Sequence, residues 1–293
     1  MLRRSFLMLL ATPVLAQNLR KSRSRNSDPV ATSSYIYSQT MRRIAAEKWN
    51  RLPIGDLMGN IGTLLLGTPY VGGTLEGAGP EICRADLTGL DCVTFFENVL
   101  AMARCSKLGT PSWDAFIKQI TRTRYRDGQL DGYTSRLHYT AEWIENNVAK
   151  GVVRDVTPDL GGDVFPIRVS FMSEHPQYYP PLKADTSLVG TIASIERRLA
   201  TTTRYIVPRE KIADIEPLLK TGDIVAIATS KAGLDYAHTG LIVREGSVAR
   251  LMHASVTKKK VILDVRLSDY IASVKSHIGV SILRPIEPNA SSR

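Results

Sequence analysis

The sequence predicts an α+β domain in which helices come first and an antiparallel sheet follows. Two patterns support this prediction. Apolar residues recur at helical spacing through much of the first two hundred positions, whereas the C-terminal part contains short, apolar, β-branched runs bounded by glycine or charged turns. No internal repeat is found, and the roughly 250 residues of 38–288 suffice for the core of one domain.

The predicted elements follow one another in that order. Helical patterns occupy 38–49, 54–66, a segment from Cys92, 112–123, 139–147 and 188–200. The stretch 151–208 mixes short strands with proline-rich loops, and we expect it to build the walls of a substrate site. Strand patterns cover 223–228, 238–243, 248–253, 261–267 and 279–285.

A cysteine occupies the first turn of the third predicted helix. Thr88 and Asp91 precede Cys92 with the spacing of a capping box. Amide groups at this end favour a thiolate, so we expect the pKa of Cys92 to lie below its ordinary value, and the same amides could bind an oxyanion. The alternative is a buried cysteine that packs as a small apolar residue. The apolar face of this helix comprises Val93, Phe95, Phe96, Val99, Leu100, Met102 and Ala103.

Two histidines flank a predicted hairpin. If Glu245 and Gly246 form its loop, the register brings His238 directly opposite His253 on one face of the sheet. One imidazole could then take the proton of a nucleophile while the other fixes its tautomer. Because a slip of one residue would send the rings to opposite faces, this prediction depends on the register.

Two other interpretations of the histidines stay open at this point. A metal site would need a third ligand, for which Asp235 is the obvious local carboxylate, and coincidental packing needs none. Combined with Cys92, however, the pair indicates a cysteine hydrolase that requires no metal or cofactor.

The N-terminus has the features of an export signal. Residues 1–16 combine Arg3 and Arg4, a short apolar run and a small-residue cleavage site after Ala16, and this segment is too short for a membrane span. Either the general or the twin-arginine route is compatible. Residues 17–37 are predicted to be a basic, serine-rich flexible linker without a lipid-anchoring cysteine. We therefore expect an exported, periplasmic protein without a membrane anchor.

The positive charge is concentrated near the N-terminus. Removing six cations of the signal and linker from the formal net charge of +10 leaves about +4. With no nucleic-acid-binding motif present, this mild charge suits an anionic wall polymer rather than nucleic acid. The run 258–260 is interpreted as a solvated turn, although contact with substrate is an alternative. The six cations are Arg3, Arg4, Arg20, Lys21, Arg23 and Arg25.

The three cysteines form an odd set for an exported protein. Cys83 and Cys105 could pair and leave Cys92 free, or all three could remain thiols.

Several motifs together resemble the NlpC/P60 superfamily of papain-like cell-wall hydrolases, and within it the N-acetylmuramoyl-L-alanine amidase-like family, once a domain of unknown function. The resemblance covers residues from about 40 to about 286. The motifs are Thr68-Pro-Tyr-Val-Gly-Gly73, Leu90-Asp-Cys92, Tyr125-Arg-Asp-Gly128, Ser135-Arg-Leu-His-Tyr139 with Trp143-Ile144, Gly222-Asp-Ile224, Gly233-Leu-Asp-Tyr-Ala-His238 with Thr239-Gly240, and His253-Ala-Ser255.

The resemblance implies a papain-like fold with a family-specific insertion between cysteine and histidine. It assigns catalysis to Cys92, His238 and His253, and oxyanion binding to Tyr70 together with the Cys92 amide. It also implies that part of the insertion and its neighbours line the substrate groove, although the polar cluster could instead brace the insertion. The implied substrate-binding residues are Asp91, Arg136, His138, Tyr139 and Asp235.

The implied activity is hydrolysis of the amide between N-acetylmuramate and L-alanine in peptidoglycan fragments. Two alternatives remain: a peptidase that cuts the stem between D-glutamate and the diamino acid, and a wall-binding module without catalysis. Here Val93 and Thr94 follow Cys92, where the superfamily commonly has Ser-Gly, so recognition of peptide ends by that type need not transfer. We expect a monomer.

Overall fold

The computed structural model describes residues 29–77 and 79–289. Five α-helices of the described residues precede the first strand and the other five lie between strands, and the combination of these helices with an antiparallel sheet confirms the predicted α+β class. The helices are α1 (Pro29–Ala46), α2 (Ile54–Leu64), α3 (Cys92–Lys107), α4 (Trp113–Arg124), α5 (Thr140–Ala149), α6 (Phe171–Glu174), α7 (Pro180–Ala184), α8 (Ser187–Leu199), α9 (Ile212–Ile215) and α10 (Leu267–Ser273).

The sheet is antiparallel, as predicted. Its strand order is β2-β3-β8-β4-β5-β6-β7, and β1 also pairs with β8. Side chains alternate along β5, so Leu241 and Val243 face the helices α1 to α5 while Ile242 faces α9 and α10. The strands are β1 (Val153–Asp155), β2 (Asp163–Pro166), β3 (Thr203–Pro208), β4 (Ile224–Thr229), β5 (Tyr236–Glu245), β6 (Val248–Ser255), β7 (Lys260–Arg266) and β8 (His277–Pro285).

Helix α3 is the central helix of the domain. It packs between α2 and α4 and against β5 and β6, and its residues from Thr94 to Cys105 are buried. Phe95, Val99 and Leu100 have no exposed surface. Burial of each such side chain contributes roughly 1.5–3 kcal/mol, so the start of this helix is held firmly in place.

Helix α1 begins at Pro29, nine residues before the predicted start, so 29–37 is helix and not linker. Its anchor is tertiary. Tyr37 stacks on Phe116 with ring centroids 4.7 Å apart, and the Ser33 hydroxyl accepts a hydrogen bond of 2.9 Å from the Leu87 amide. Because this segment is rich in serine, its sequence indicated a flexible linker and not a packed helix. The predicted signal 1–16 and linker residues 17–28 lie outside the described residues.

Helix α10 is absent from the sequence prediction, which ended a strand at residue 267. Leu267 and Ile271 are buried against the sheet face opposite α3. The amide of Ser268 donates to a carboxylate oxygen of Glu216 at 2.8 Å. A free amide in the first turn of α10 is therefore satisfied by a residue 52 positions earlier in the chain. A local sequence pattern could not reveal such a contact.

Candidate active site

The start of α3 is fixed by a capping box made of Asp91 and Thr94. The Thr94 amide donates to the Asp91 carboxylate at 2.7 Å, and the Asp91 amide donates to the Thr94 hydroxyl at 2.9 Å. The predicted box of Thr88 and Asp91 is wrong, since the Thr88 amide and hydroxyl bind Asp86. The helix begins at Cys92, which makes Asp91 itself the N-cap residue.

The half-buried Cys92 thiol meets β5 at Thr239, the residue after His238. Burial first, and the charge of Asp91 second, raise the pKa of Cys92 to about 11, against hydrogen bonding from Thr239 and the Cys92 amide. The expected depression of this pKa is therefore wrong for the free protein, because desolvation outweighs the helix end.

The hairpin register differs from the prediction by two residues. Gly246 and Ser247 form the loop, with Gly246 at φ 62°, and Glu245 pairs with Val248. His238 is therefore not directly opposite His253. Because a shift of two residues preserves the face, both rings still lie on the same side of the sheet.

The two imidazoles nonetheless meet. His238 and His253 lie just beyond the last ladder pair, Leu241 with Met252. Nε2 of His238 is 2.6 Å from Nδ1 of His253, and the rings are nearly perpendicular, at 89°. A Cβ at Gly240 would lie 3.1 Å from the His253 Cβ and 2.8 Å from a backbone oxygen, so glycine is needed where His253 crosses β5.

Two groups that the sequence analysis missed complete this cluster. Nε2 of His253 lies 3.1 Å from the Asp264 carboxylate, and the Tyr270 ring lies 5.0 Å from the His253 ring and 6.0 Å from the His238 ring. Asp264 occupies the point where the register between β6 and β7 shifts, and Tyr270 belongs to the unpredicted α10. Strand alternation alone could not place either side chain.

Both histidines are held in the neutral form. Burial, aided by the charges of His253 and His277, lowers the pKa of His238 to about 3. Burial also lowers the pKa of His253, although Asp264 opposes that shift. A neutral imidazole has one donor and one acceptor nitrogen, so each can pass a proton along the cluster.

Tyr70, to which the resemblance assigned oxyanion binding, lies near the start of α3. Its backbone bridges Leu90, two residues before Cys92, and its amide donates to the Lys259 carbonyl at 3.0 Å. Burial, followed by the charges of Cys92 and Asp91, raises the pKa of Tyr70 to about 12. The Tyr70 hydroxyl is thus a protonated donor near the sulfur.

Arg136 braces the insertion. Its guanidinium donates to both Glu81 carboxylate oxygens at 2.9 and 2.7 Å and to Glu76 at 2.6 Å, and Tyr125 donates to Glu81 at 2.7 Å. Arg136 is only 5% exposed. These contacts favour the bracing role over direct substrate binding, because all three nitrogens of the guanidinium already donate to Glu76 or Glu81.

The other implied substrate residues are also engaged within the fold. His138 bonds the Tyr133 carbonyl at 2.9 Å, and the Tyr139 hydroxyl donates to Glu196 at 2.6 Å. Asp235 accepts from the Ala141 amide at 2.7 Å at the start of α5, and Asp91 caps α3. Any contact of these side chains with substrate would have to use hydrogen-bonding positions that are not already occupied by these partners.

Lowering the pH from 7 to 5 should destabilise the protein by about 2 kcal/mol. His138 and His238 have pKa values of about 3, against about 6.5 when unfolded, so the unfolded chain binds more protons and stability falls below pH 6.5. Asp235, with its pKa raised to about 6 by burial, opposes this by roughly 1 kcal/mol. Urea titrations at both pH values measure the change, and equal or greater stability at pH 5 contradicts it.

The structure bears on two interpretations that the sequence left open, the metal site and the disulfide bridge. No cluster of three or more His, Cys, Asp or Glu side chains in the described ranges has an arrangement suited to a metal ion. Cys83, Cys92 and Cys105 are all free thiols, so the considered bridge between Cys83 and Cys105 is not formed.

Comparison with known proteins places this geometry in a family. The N-acetylmuramoyl-L-alanine amidase-like family matches residues 60–280. A crystal structure of an N-acetylmuramoyl-L-alanine amidase from Bacteroides uniformis is 40% identical, with a TM-score of 0.76 over 79% of this chain and 98% of that chain. No curated protein sequence gives a match.

Two further crystal structures are similar. A Bacteroides fragilis protein described as a candidate xylanase is 36% identical, with a TM-score of 0.72 over 76% of this chain and 98% of that one. A Legionella pneumophila protein shares the fold at 20% identity, with a TM-score of 0.64 over 87% of this chain and 97% of that one. No helix among the residues described is long and apolar enough to cross a membrane. The chain belongs to the N-acetylmuramoyl-L-alanine amidase-like family.

Proposed function

We propose that the chain is an exported cysteine amidase that hydrolyses the amide between N-acetylmuramate and L-alanine in peptidoglycan fragments. Family membership supports the bond that is cut. The observation that carries the chemistry is the 2.6 Å contact between His238 and His253, one residue from the Thr239 that meets the Cys92 thiol. A thiol next to an oriented imidazole is the arrangement of a cysteine nucleophile.

The first half of the reaction transfers the acyl group to sulfur. Nδ1 of His238 takes the thiol proton of Cys92 as the sulfur attacks the lactyl carbonyl of N-acetylmuramate. The Cys92 amide and the Tyr70 hydroxyl stabilise the oxyanion. When the tetrahedral intermediate collapses, the carbon–nitrogen bond breaks and His238 returns the proton to the amine of L-alanine. The stem peptide leaves, and a thioester remains on Cys92.

The second half regenerates the enzyme. His238 takes a proton from a water molecule as its oxygen attacks the thioester carbonyl. The carbon–sulfur bond then breaks, Cys92 recovers its proton from His238, and the sugar acid is released. No metal or cofactor takes part in the proposed cycle.

The resting protonation states fit proton transfer that accompanies attack. With pKa values of about 11 for Cys92 and about 3 for His238, thiol and imidazole are both neutral near pH 7. A thiolate and an imidazolium formed together attract one another, and this attraction offsets part of the free-energy cost of burying each charge. We therefore assign His238 the role of general base.

The wider setting belongs to the same proposal. A papain-like NlpC/P60 fold with an insertion between Cys92 and His238 agrees with an α3 that packs on β5 and β6. Residues 1–16 would direct export to the periplasm, where the wall polymer is found. The expected partner is a muropeptide, and the expected state is a monomer.

The alternatives differ in the bond that is cut. A stem peptidase would use the same thiol between D-glutamate and the diamino acid, and a wall-binding module would retain the fold without turnover. A glycoside hydrolase needs a pair of carboxyl groups across a sugar cleft, whereas the groups proposed here are a thiol and two imidazoles that contact each other. The amidase is favoured because the family match covers most of the chain.

The products of one defined substrate test the proposal. We expect the chain from residue 17 onward, incubated with N-acetylmuramyl tetrapeptide, to yield free N-acetylmuramate and intact tetrapeptide by mass spectrometry. A sugar that retains L-alanine and D-glutamate would identify the stem peptidase. Saturable binding without any product would identify the wall-binding module, and both results would overturn the amidase.

A further inference from the structure

We infer that Asp264 is a positioning residue that sets the direction of the hydrogen bonds between the two histidines. This inference rests on the proposed function. Three side chains on neighbouring strands form a line: Nε2 of His238 lies 2.6 Å from Nδ1 of His253, and Nε2 of His253 lies 3.1 Å from the Asp264 carboxylate. The line ends at one side with His238, whose neighbour in the chain, Thr239, contacts the Cys92 thiol, and at the other side with partly exposed Asp264.

The proton positions follow from the acceptor at the far end. An ionised carboxylate can only accept, so His253 carries its hydrogen on Nε2. Because His253 is neutral, its Nδ1 has a lone pair and must accept from His238. His238 therefore carries its hydrogen on Nε2 and presents a bare Nδ1, which is the nitrogen that can take the thiol proton of Cys92.

The reverse arrangement would disable the base. If His253 donated from Nδ1, its Nε2 lone pair would face the Asp264 carboxylate, which is repulsive. His238 would then accept through Nε2 and carry its hydrogen on Nδ1, so it could not take a proton from Cys92. Asp264 thus selects the productive tautomer of His238 through two successive hydrogen bonds, although it does not touch the reacting atoms.

The surroundings of Asp264 keep it ionised. Burial opposes ionisation, but the hydrogen bonds from His253 and the Val265 amide, with the charges of His253 and Lys258, hold the pKa of Asp264 below its ordinary value. Tyr270 covers the His253 ring from α10. Among the described residues, the titratable and charged groups that face this line are His277 near His238, Tyr270 near both imidazoles, Cys92 near Tyr270, and Lys258 near Asp264.

Substitution of Asp264 tests the inference, with Asp264→Asn as the isosteric variant and Asp264→Ala as the truncation. The control is Asp269→Asn, which removes an exposed carboxylate from the same neighbourhood, one residue before Tyr270. We expect both Asp264 variants to lose about 10- to 100-fold in kcat with little change in KM, while the control stays near wild type. Thermal unfolding establishes that each variant is folded.

A second readout separates positioning from a merely structural role. Nitrogen-15 shifts of the imidazoles should show hydrogen on Nε2 of both His238 and His253 in the wild type, and a mixture of tautomers in the Asp264 variants. Alkylation of Cys92 by iodoacetamide, followed between pH 5 and 9, should slow about tenfold near pH 7 in these variants.

Each outcome bears on the inference in a defined way. Unchanged tautomers in the folded Asp264→Asn variant would overturn it, as would an unchanged kcat. If the wild type cleaves no muropeptide but the tautomers and the alkylation rate respond to Asp264 as expected, the proposed substrate is wrong and the positioning role stands. The two failures are therefore distinguishable.

Discussion

Replacing Cys92 with alanine should lower kcat for muropeptide cleavage by at least about 10⁴-fold. The proposed reaction passes through a thioester, and alanine offers no atom to form it. Binding should persist, because Tyr70 and the surrounding fold do not depend on the sulfur. The measurement is product release from N-acetylmuramyl tetrapeptide at saturating concentration.

A matched cysteine variant controls this experiment. Cys83 is half-buried near the carbonyl of Ile117 on α4 and has no part in the proposed site. We expect Cys83→Ser to retain activity within about twofold, since substitutions away from special features usually have small effects. Undiminished cleavage by folded Cys92→Ala would remove the thiol from the mechanism.

Replacing His238 with glutamine should lower kcat by about 10³- to 10⁴-fold. Glutamine approximates the reach of the ring and can still hydrogen-bond His253, but it cannot take a proton near neutral pH. KM should change little, because His238 acts on the thiol and not on the substrate. Steady-state kinetics at pH 7 separate the two parameters.

His175 provides the control for this substitution. It stacks against Phe171 at 4.4 Å on the insertion and lies outside the histidine pair. His175→Gln should keep kcat within a few-fold of wild type. If His238→Gln keeps wild-type kcat, the general base must be another group, and the role assigned to the histidine pair is wrong.

The sequence was sufficient to predict the features that follow from the periodic spacing of apolar residues. The spacing of apolar residues after Cys92 located the central helix within a residue, and short β-branched runs located the strands from β4 to β8. Both histidines fell on one face even though the loop was misplaced, because a two-residue shift leaves the face unchanged. Glycine at 246 allowed either of two loops, and only the folded register selects one.

Features that depend on contacts between distant parts of the chain could not be predicted from these sequence patterns. Asp264 reaches His253 at a bulge, and Tyr270 sits on a seven-residue helix capped by distant Glu216. The thiol pKa was misjudged because the helix end is visible in sequence whereas burial is not. Arg136 looked like a substrate ligand, yet its partners Glu76 and Glu81 lie more than fifty positions away.

The most direct measurement of the central claim is the mass of the covalent intermediate. Rapid mixing of the enzyme with N-acetylmuramyl tetrapeptide, followed by acid quench and peptide mapping, should find the peptide that contains Cys92 heavier by N-acetylmuramate minus one water. Continued product release with no adduct on Cys92, or an adduct that carries L-alanine and D-glutamate, would contradict the account.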